Sequence, residues 1–391
     1  MRILTLSNSP LVESQGSGYV VLNYVRGLRD RGHYVDLCGP ESLELFSRLQ
    51  KARSHRVSVG MLVEACRRLA STPYDVMEFY GGESWLAVSV LTAMPKRRFL
   101  LVAHANGLET HYREVLQQRV GTASLDGAGL KWYQTMLHPP IQRAFTKVDG
   151  LVTVSSADRD YALRENYQPP SRIVALDNPL PDDYLDRPVD FHRSPTVGFC
   201  GAWSMTKGST VMRADMSAIV KEFPACRFKL IGVGADFRVA DWFPPEVCSR
   251  VDVIPFVEEK VQLRKIYESL AIVIVPSLFE SFGLVTAEAM ACGCAVVATR
   301  TGFAASLHHR EEAMLMDEPT SPALYENVRA LLTNNDLRMN IAQRGYARVQ
   351  NLRWPSAIEA LERVYLGWLE EFRSTRRSVR LNAAEPRHQN G

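Results

Sequence analysis

"IVPSLFESFGLVTAEAMACGCAVVATR", residues 274–300, decides how this chain is read. A β-branched run stops at Pro276, a polar loop follows, and an apolar helix of about 284–292 is ended by Gly293 before a second β-branched run at 295–299. Strand, helix and second buried strand form a βαβ unit, the building block of a parallel sheet. Glu280 falls in the loop at the carboxyl edge of the first strand, and Glu288 lies inside the helix among Leu, Val, Ala and Met. A carboxylate on an apolar helix costs several kcal/mol, roughly, unless something holds it. Two partners stand open. One is a ligand diol, since a carboxylate accepts two hydrogen bonds from neighbouring hydroxyls. The other is a Lys or Arg of the same chain, with Glu280 then serving the helix dipole.

Outward from this stretch the same pattern repeats. Strands are expected at 2–7, 34–38, 76–80, 99–103, 151–155 and 173–176, then at 196–200, 228–232, 251–255, 271–275, 295–299 and 313–316. Helical stretches separate them, so the reading is α/β, with two doubly wound domains of similar topology. The Pro- and Asp-rich segment 177–195 has no apolar period and reads as the join. The boundaries expected are 1–185, 195–355, a segment at 356–372, and a basic tail at 373–391 read as disordered. In doubly wound sheets ligands bind beyond the carboxyl ends of the strands, and two such domains place the site in the cleft between them.

Composition excludes several classes. Hydrophobic residues make up 46% and charged residues 23% of the 391, ordinary for a globular protein. No apolar run reaches the roughly 20 residues of a membrane span, and "MRILTLSNSP" is too short for a secretory signal. Seven cysteines lack zinc-like spacing, which suits a reducing, cytoplasmic setting. The net charge of +3 is concentrated in the tail from Phe372 onward, where five arginines meet one glutamate. The body is therefore nearly neutral, and no nucleic acid is expected as partner.

Three loops of the second half carry the chemistry. In "VGFCGAWSMTKGSTVM", Gly201 follows a strand and Lys207-Gly208 lead into a helix capped by Ser209 or Thr210. A lysine beside free backbone N–H groups suits a phosphate, with a solvated surface lysine as the alternative. In "KLIGVGADF", Gly232 and Gly234 follow a strand and would let a ligand approach the backbone, as they would equally serve a tight turn. The third loop is "SLFESFG", which carries Glu280.

The spacing Glu280–seven residues–Glu288, set in "PSLFESFGLVTAEAMACGCAVVAT", resembles the donor-site signature of retaining glycosyltransferases of the GT-B fold, glycosyltransferase family 4. The resemblance runs to about residue 370, with "GAWSMTKG", "IGVGAD" and "LRWPSAIEALERVYLGWLEEF" fitting the phosphate loop, the next loop and the C-terminal helix, which it implies at 356–372, returning to the first domain. It implies two Rossmann-like domains facing a cleft, a nucleotide-sugar donor as substrate, no cofactor and no metal. It implies that Glu288 holds the ribose, and that Glu280 contacts the transferred sugar with the backbone of Ser281, Phe282, Gly283 and Leu284 nearby. Lys207 would neutralise the diphosphate, and Phe256 and Val257 would lie beside the base. In the first domain Gly16 and Gly18 match a glycine-rich loop near the diphosphate. "VAHANGLETHYRE" matches a loop with a functional histidine: His104 fits by position from the strand, Asn106 fits if one anchors on "GLE", and His111 could also face the cleft on the acceptor side.

The implied function is sugar transfer to a carbohydrate, lipid-linked or small-molecule acceptor, with retention, in glycan or polysaccharide biosynthesis. Two departures weigh on it. Ala202 stands where the family has an arginine, and "TRTGFAASLHH" keeps Gly302 but adds the bulk of Phe303. They leave open a nucleotide-sugar-binding pseudoenzyme; a nucleotide-sugar 2-epimerase of the same fold is the other alternative. "LFSRLQKARSHR" and "PKRRF" mix apolar and cationic residues, which fits either a peripheral contact with the inner face of a membrane or solvated helix faces.

Overall fold

The computed structural model describes residues 1–13, 16–45, 48, 52–120, 136 and 138–384. Most of "LFSRLQKARSHR" between 46 and 51, and the tail beyond 384, lie outside the described residues. The expected strands form, each within two residues of its expected ends. Those of the first domain are β1 (Arg2–Ser7), β2 (Tyr34–Cys38), β3 (Val76–Tyr80), β4 (Leu100–Ala105), β5 (Gly150–Thr153) and β6 (Ile173–Ala175). Those of the second are β7 (Thr196–Cys200), β8 (Arg227–Ile231), β9 (Val251–Ile254), β10 (Ile272–Val275), β11 (Ala295–Thr299) and β12 (Met314–Met316).

All neighbours pair in parallel, and helices cover both faces of each sheet, which is why the strands read as nearly unbroken apolar runs. The strand orders are β2-β1-β3-β4-β5-β6 and β12-β11-β10-β7-β8-β9. Both sheets are doubly wound, but their topologies differ, contrary to the expectation of similar halves. The chain reverses direction across the first sheet between β1 and β3, and across the second between β7 and β10. Loops leaving the carboxyl ends of those strands flank a crevice, so the fold itself fixes where a ligand can sit.

The chain crosses between the domains twice. The first crossing is the Pro-rich join; the second is near Leu352, whose carbonyl accepts the Leu180 N–H at 2.9 Å. The helix Trp354–Ala384 then lies on the first sheet. Its buried Ile358, Leu361, Tyr365, Trp368 and Leu369 recur at helical spacing and pack on Ile3, Leu100 and Val102. Glycines make the room: a Cβ on Gly27 would sit 1.9 Å from Ile358, and one on Gly150 would sit 2.2 Å from Trp368.

The helix does not end at 372. It continues to Ala384, into the segment expected to be disordered. Its arginines find partners there: Arg373 pairs with Asp75 at 2.6 Å, and Arg376 donates to the Arg97 carbonyl while lying over the Phe372 ring. No helix among the described residues is long and apolar enough to cross a membrane.

Candidate active site

Lys207 and Glu280 meet at the switch point of the second sheet. Lys207 comes from the loop after β7 and Glu280 from the loop after β10, and these strands are neighbours. Lys207 Nζ lies 2.6 Å from Glu280 Oε1, which also accepts from the Ser277 hydroxyl at 2.6 Å. Gly208 sets this pairing. It adopts φ 83°, and a Cβ there would fall 2.2 Å from the Pro276 carbonyl oxygen at the end of β10. Gly208 is also the N-cap of the helix Ser209–Glu222, with no side-chain cap, so neither Ser209 nor Thr210 plays the capping part expected of it. A left-handed residue was needed at the entry, and glycine supplies it.

Both residues line a cavity of about 330 Å³ between the domains. Gly201, Ser281, Phe282, Gly283 and Leu284 line it from the second domain, and Gly16, Ser17 and Asn106 from the first. Two helices begin at this cavity, Gly16–Asp30 and Leu284–Ala291, one from each domain. A Cβ on Gly16 would lie 3.3 Å from Leu284 Cδ1, so the two entrances nearly touch. Free N–H groups of both helices and the lysine cation therefore converge on one space, an arrangement that suits an anion.

Glu288 lies one turn deeper and does not line that cavity. It is 6% exposed, and its hydrogen bond among the described residues is a long one of 3.5 Å from the Tyr267 hydroxyl. It has no ion pair there. Burial pushes its carboxyl above the ordinary range, opposed first by the charge of Lys260. Lys260 sits 3.9 Å from the centroid of the Tyr19 ring, across the domain seam, and burial lowers its own pKa. The lone carboxylate is thus neither sealed in a salt bridge nor fully satisfied.

His104 is not at the cleft. β4 runs to Ala105, two residues past its expected end, so His104 is still in the strand and alternation turns it toward the helix-covered face with Leu100 and Val102. It is 4% exposed and stacks on Tyr80 with ring centroids 4.4 Å apart. Its Nε2 is 2.6 Å from the Tyr365 hydroxyl, which itself donates to Glu78. Thr5 donates to the other Glu78 oxygen at 2.5 Å. A hydroxyl that donates to a carboxylate has its lone pairs left for a donor, so His104 presents Nε2–H to Tyr365. Burial would raise the Glu78 carboxyl, but the His104 contacts, Thr5 and Tyr365 hold it below the usual value. His104 is a structural tie between sheet and C-terminal helix. Asn106, the first polar residue beyond the strand, takes the place at the cavity.

Other expected residues are displaced too. Gly18 is buried, and a Cβ there would lie 2.0 Å from the Pro10 carbonyl oxygen, so this glycine packs the helix entry against its loop instead of facing the ligand space. Gly232, Phe256 and Val257 do not line the cavity; Phe256 is 69% exposed and Val257 packs on the second-domain core. Ala202 is exposed, and Phe303 is buried against Phe282, with ring centroids 5.4 Å apart, so its bulk supports the loop from beneath. His111 lines a second interdomain cavity of about 360 Å³, which Glu280 also borders. Its Nδ1 is 2.7 Å from Asp158 Oδ1.

Asn178, at the start of the join, is a residue the sequence reading missed. It lines the first cavity, is 7% exposed, and its Oδ1 has no hydrogen-bond partner. Its place three residues after the end of β6 was the signal, since ligands gather at such strand ends.

Residues 194–334 match the family model described as "Glycosyl transferases group 1". Among curated relatives, D-inositol 3-phosphate glycosyltransferase from Acidothermus cellulolyticus is 33% identical over 260 residues, 60% of this chain and 54% of that protein. The chain spans about half the length of the curated relatives it matches. Sucrose-phosphate synthase from Thermosynechococcus elongatus superimposes with a TM-score of 0.73 at 17% identity, over 95% of this chain and 100% of that one. Anabaena HepE in complex with UDP gives 0.65 at 16% identity, over 94% and 100%. Two parallel six-stranded sheets around a shared crevice, matched over almost the full chain by these structures, make this a GT-B fold.

Proposed function

We propose that the protein transfers a glycosyl group from a nucleotide-sugar donor to a hydroxyl-bearing acceptor with retention of configuration, as a family 4 glycosyltransferase does. The observation that carries this reading is the Lys207–Glu280 pair, at 2.6 Å, in a cavity entered by one helix N-terminus from each domain. The donor diphosphate takes the place facing those N-termini and draws Lys207 away from Glu280. Freed on one side but still held by Ser277, Glu280 accepts hydrogen bonds from the sugar hydroxyls. Glu288, one turn along, accepts from the ribose.

As the bond from the anomeric carbon to the phosphate oxygen breaks, charge gathers on that oxygen, where Lys207 and backbone N–H groups stabilise it. The acceptor oxygen bonds to the anomeric carbon on the same face, and its proton passes to the leaving phosphate. The reading needs no metal, because these groups supply the positive potential. That HepE structures hold UDP and UDP-glucose makes UDP the first nucleotide to try. A D-inositol 3-phosphate glycosyltransferase and a sucrose-phosphate synthase are named for different chemistry, so the acceptor here is named by class alone: carbohydrate, lipid-linked or small-molecule.

A panel of UDP, GDP and ADP in thermal unfolding tests this. One of them is expected to raise the melting temperature by several degrees, roughly, at saturating concentration, and Lys207→Ala to lose most of the shift. If none of the three shifts the wild type, the reading falls. A second reading, donor binding without turnover, is favoured by Ala202 where the resemblance implies an arginine, and by Asn106 rather than His104 lining the cavity. A hydrolysis assay of the donor separates the two: release of free sugar supports catalysis.

A further inference from the structure

At the end of the first domain away from the cleft lies a cavity of about 850 Å³. Arg2 opens β1, Asp75 precedes β3 and Arg98 precedes β4, so this wall is made from the amino ends of strands whose carboxyl ends feed the cleft. The opposite wall is the last part of the C-terminal helix, with Phe372, Arg373 and Arg376. Pro73 and Tyr74 extend the apolar floor around Phe372.

The charge balance is one-sided. Arg2, Lys96, Arg97, Arg98, Arg373 and Arg376 line the space against one carboxylate, Asp75. Asp75 is already committed, accepting from Arg373 at 2.6 Å and from the Arg2 backbone N–H at 2.8 Å. Arg97 is held by Asp149 at 2.5 and 2.8 Å. The Arg97 and Arg376 guanidiniums lie 5.1 and 4.6 Å from the Phe372 centroid, two cations on one ring. Lys96 and Arg98 are exposed and have no hydrogen bond or ion pair among the described residues. Like charges crowded in a concave surface repel one another and raise the local potential for anions.

We propose that this cavity binds a phosphate monoester, at a site separate from the cleft. Guanidinium groups match phosphate oxygens with paired hydrogen bonds, and the lysine adds a mobile point charge. The volume falls in the range of about 300–1,000 Å³ common for organic ligands, far more than inorganic phosphate fills. The aromatic and proline floor takes the organic part. A soluble phosphorylated metabolite and an acidic phospholipid headgroup share this chemistry.

The test uses the full chain with the cleft saturated by the nucleotide that stabilises it, or without nucleotide if none does. The probes are glycerol 3-phosphate, followed by calorimetry, and phosphatidylcholine vesicles with and without phosphatidic acid, followed by co-sedimentation. Wild type is expected to bind at least one probe, with affinity falling as salt rises. Lys96→Glu combined with Arg98→Glu is expected to bind it at least about tenfold more weakly, since two charge-assisted contacts become repulsive. An unchanged melting temperature shows that this exposed pair was altered without loss of fold, and the single Arg98→Gln should give an intermediate loss. Binding of glycerol 3-phosphate assigns a soluble ligand, and binding confined to phosphatidic acid vesicles assigns a headgroup. Equal binding by wild type and double variant, or no binding of either probe by wild type, overturns the proposal. None of these readouts depends on sugar transfer.

Discussion

Glu288 holds two opposing demands in one carboxyl group. Burial raises its pKa, so the folded protein keeps a proton that the unfolded chain releases at a pH of roughly 4.3. The folded state binds more protons in that window, and stability therefore falls as pH rises from there through the raised value. Glu288→Gln removes the ionisation. At pH 7 the variant should melt above wild type by a few degrees, roughly, and the difference should vanish near pH 4, as a pH series of thermal unfolding would show. The same substitution should weaken nucleotide binding, because the amide offers one acceptor oxygen in place of two. A gain in stability with a loss of binding identifies a residue retained for its ligand. Equal stability at both pH values would mean that the side chain titrates as it does in the open chain.

At the scale of elements, the loop from β7 into its helix depends on Gly208. Gly208→Ala would place a methyl group 2.2 Å from the Pro276 carbonyl oxygen in a left-handed conformation. The expected cost is about 2 kcal/mol or more, read from urea unfolding, and the nucleotide-induced melting shift should shrink as Lys207 moves. The strands around this loop were legible because burial on both faces leaves runs such as "AIVIV" and "AVVAT" with no polar interruption. Single positions near strand ends were less so. Reading β4 two residues short put His104 in the loop beyond the strand, whereas the strand continues past it and buries it, and Asn106 is the first polar residue beyond the true end. Glu280 and Lys207 were legible because each lies in a loop that leads from a strand into the next helix, and Gly16 through the glycine-rich loop that the resemblance implies. Asn178 was hidden in a segment whose prolines and aspartates announce only a connection.

Over the whole molecule, contacts of Arg119 and Phe279 are among those that join the two domains. Arg119 of the first donates to the Leu278 and Asp317 carbonyls of the second, both at 3.1 Å, and Phe279 packs edge-on against His111 at 5.0 Å. Arg119→Ala combined with Phe279→Ala should let the domains part, raising the radius of gyration in X-ray scattering above the roughly 21 Å expected of a compact chain of this length. A saturating nucleotide should bring it back toward the wild-type value. Unchanged scattering by the ligand-free variant would show that the crossings and the remaining seam contacts, such as Lys260 over the Tyr19 ring, fix the arrangement without these two residues. The C-terminal helix was legible to residue 372 through the resemblance carried by "LRWPSAIEALERVYLGWLEEF". Beyond that point composition suggested disorder, because pairing with Asp75 and the Arg97 carbonyl is a property of the assembled surface and leaves no mark in local sequence.

That helix has a consequence for biosynthesis. One face of the first sheet is covered by residues that the ribosome adds only after the second domain's strands, from Trp354 to Leu369. While the second domain is being made, Ile3, Leu100 and Val102 wait for their cover. The first domain, though made before the second, is therefore completed after it, and the nascent chain meanwhile carries a bare apolar surface of the kind that chaperones hold.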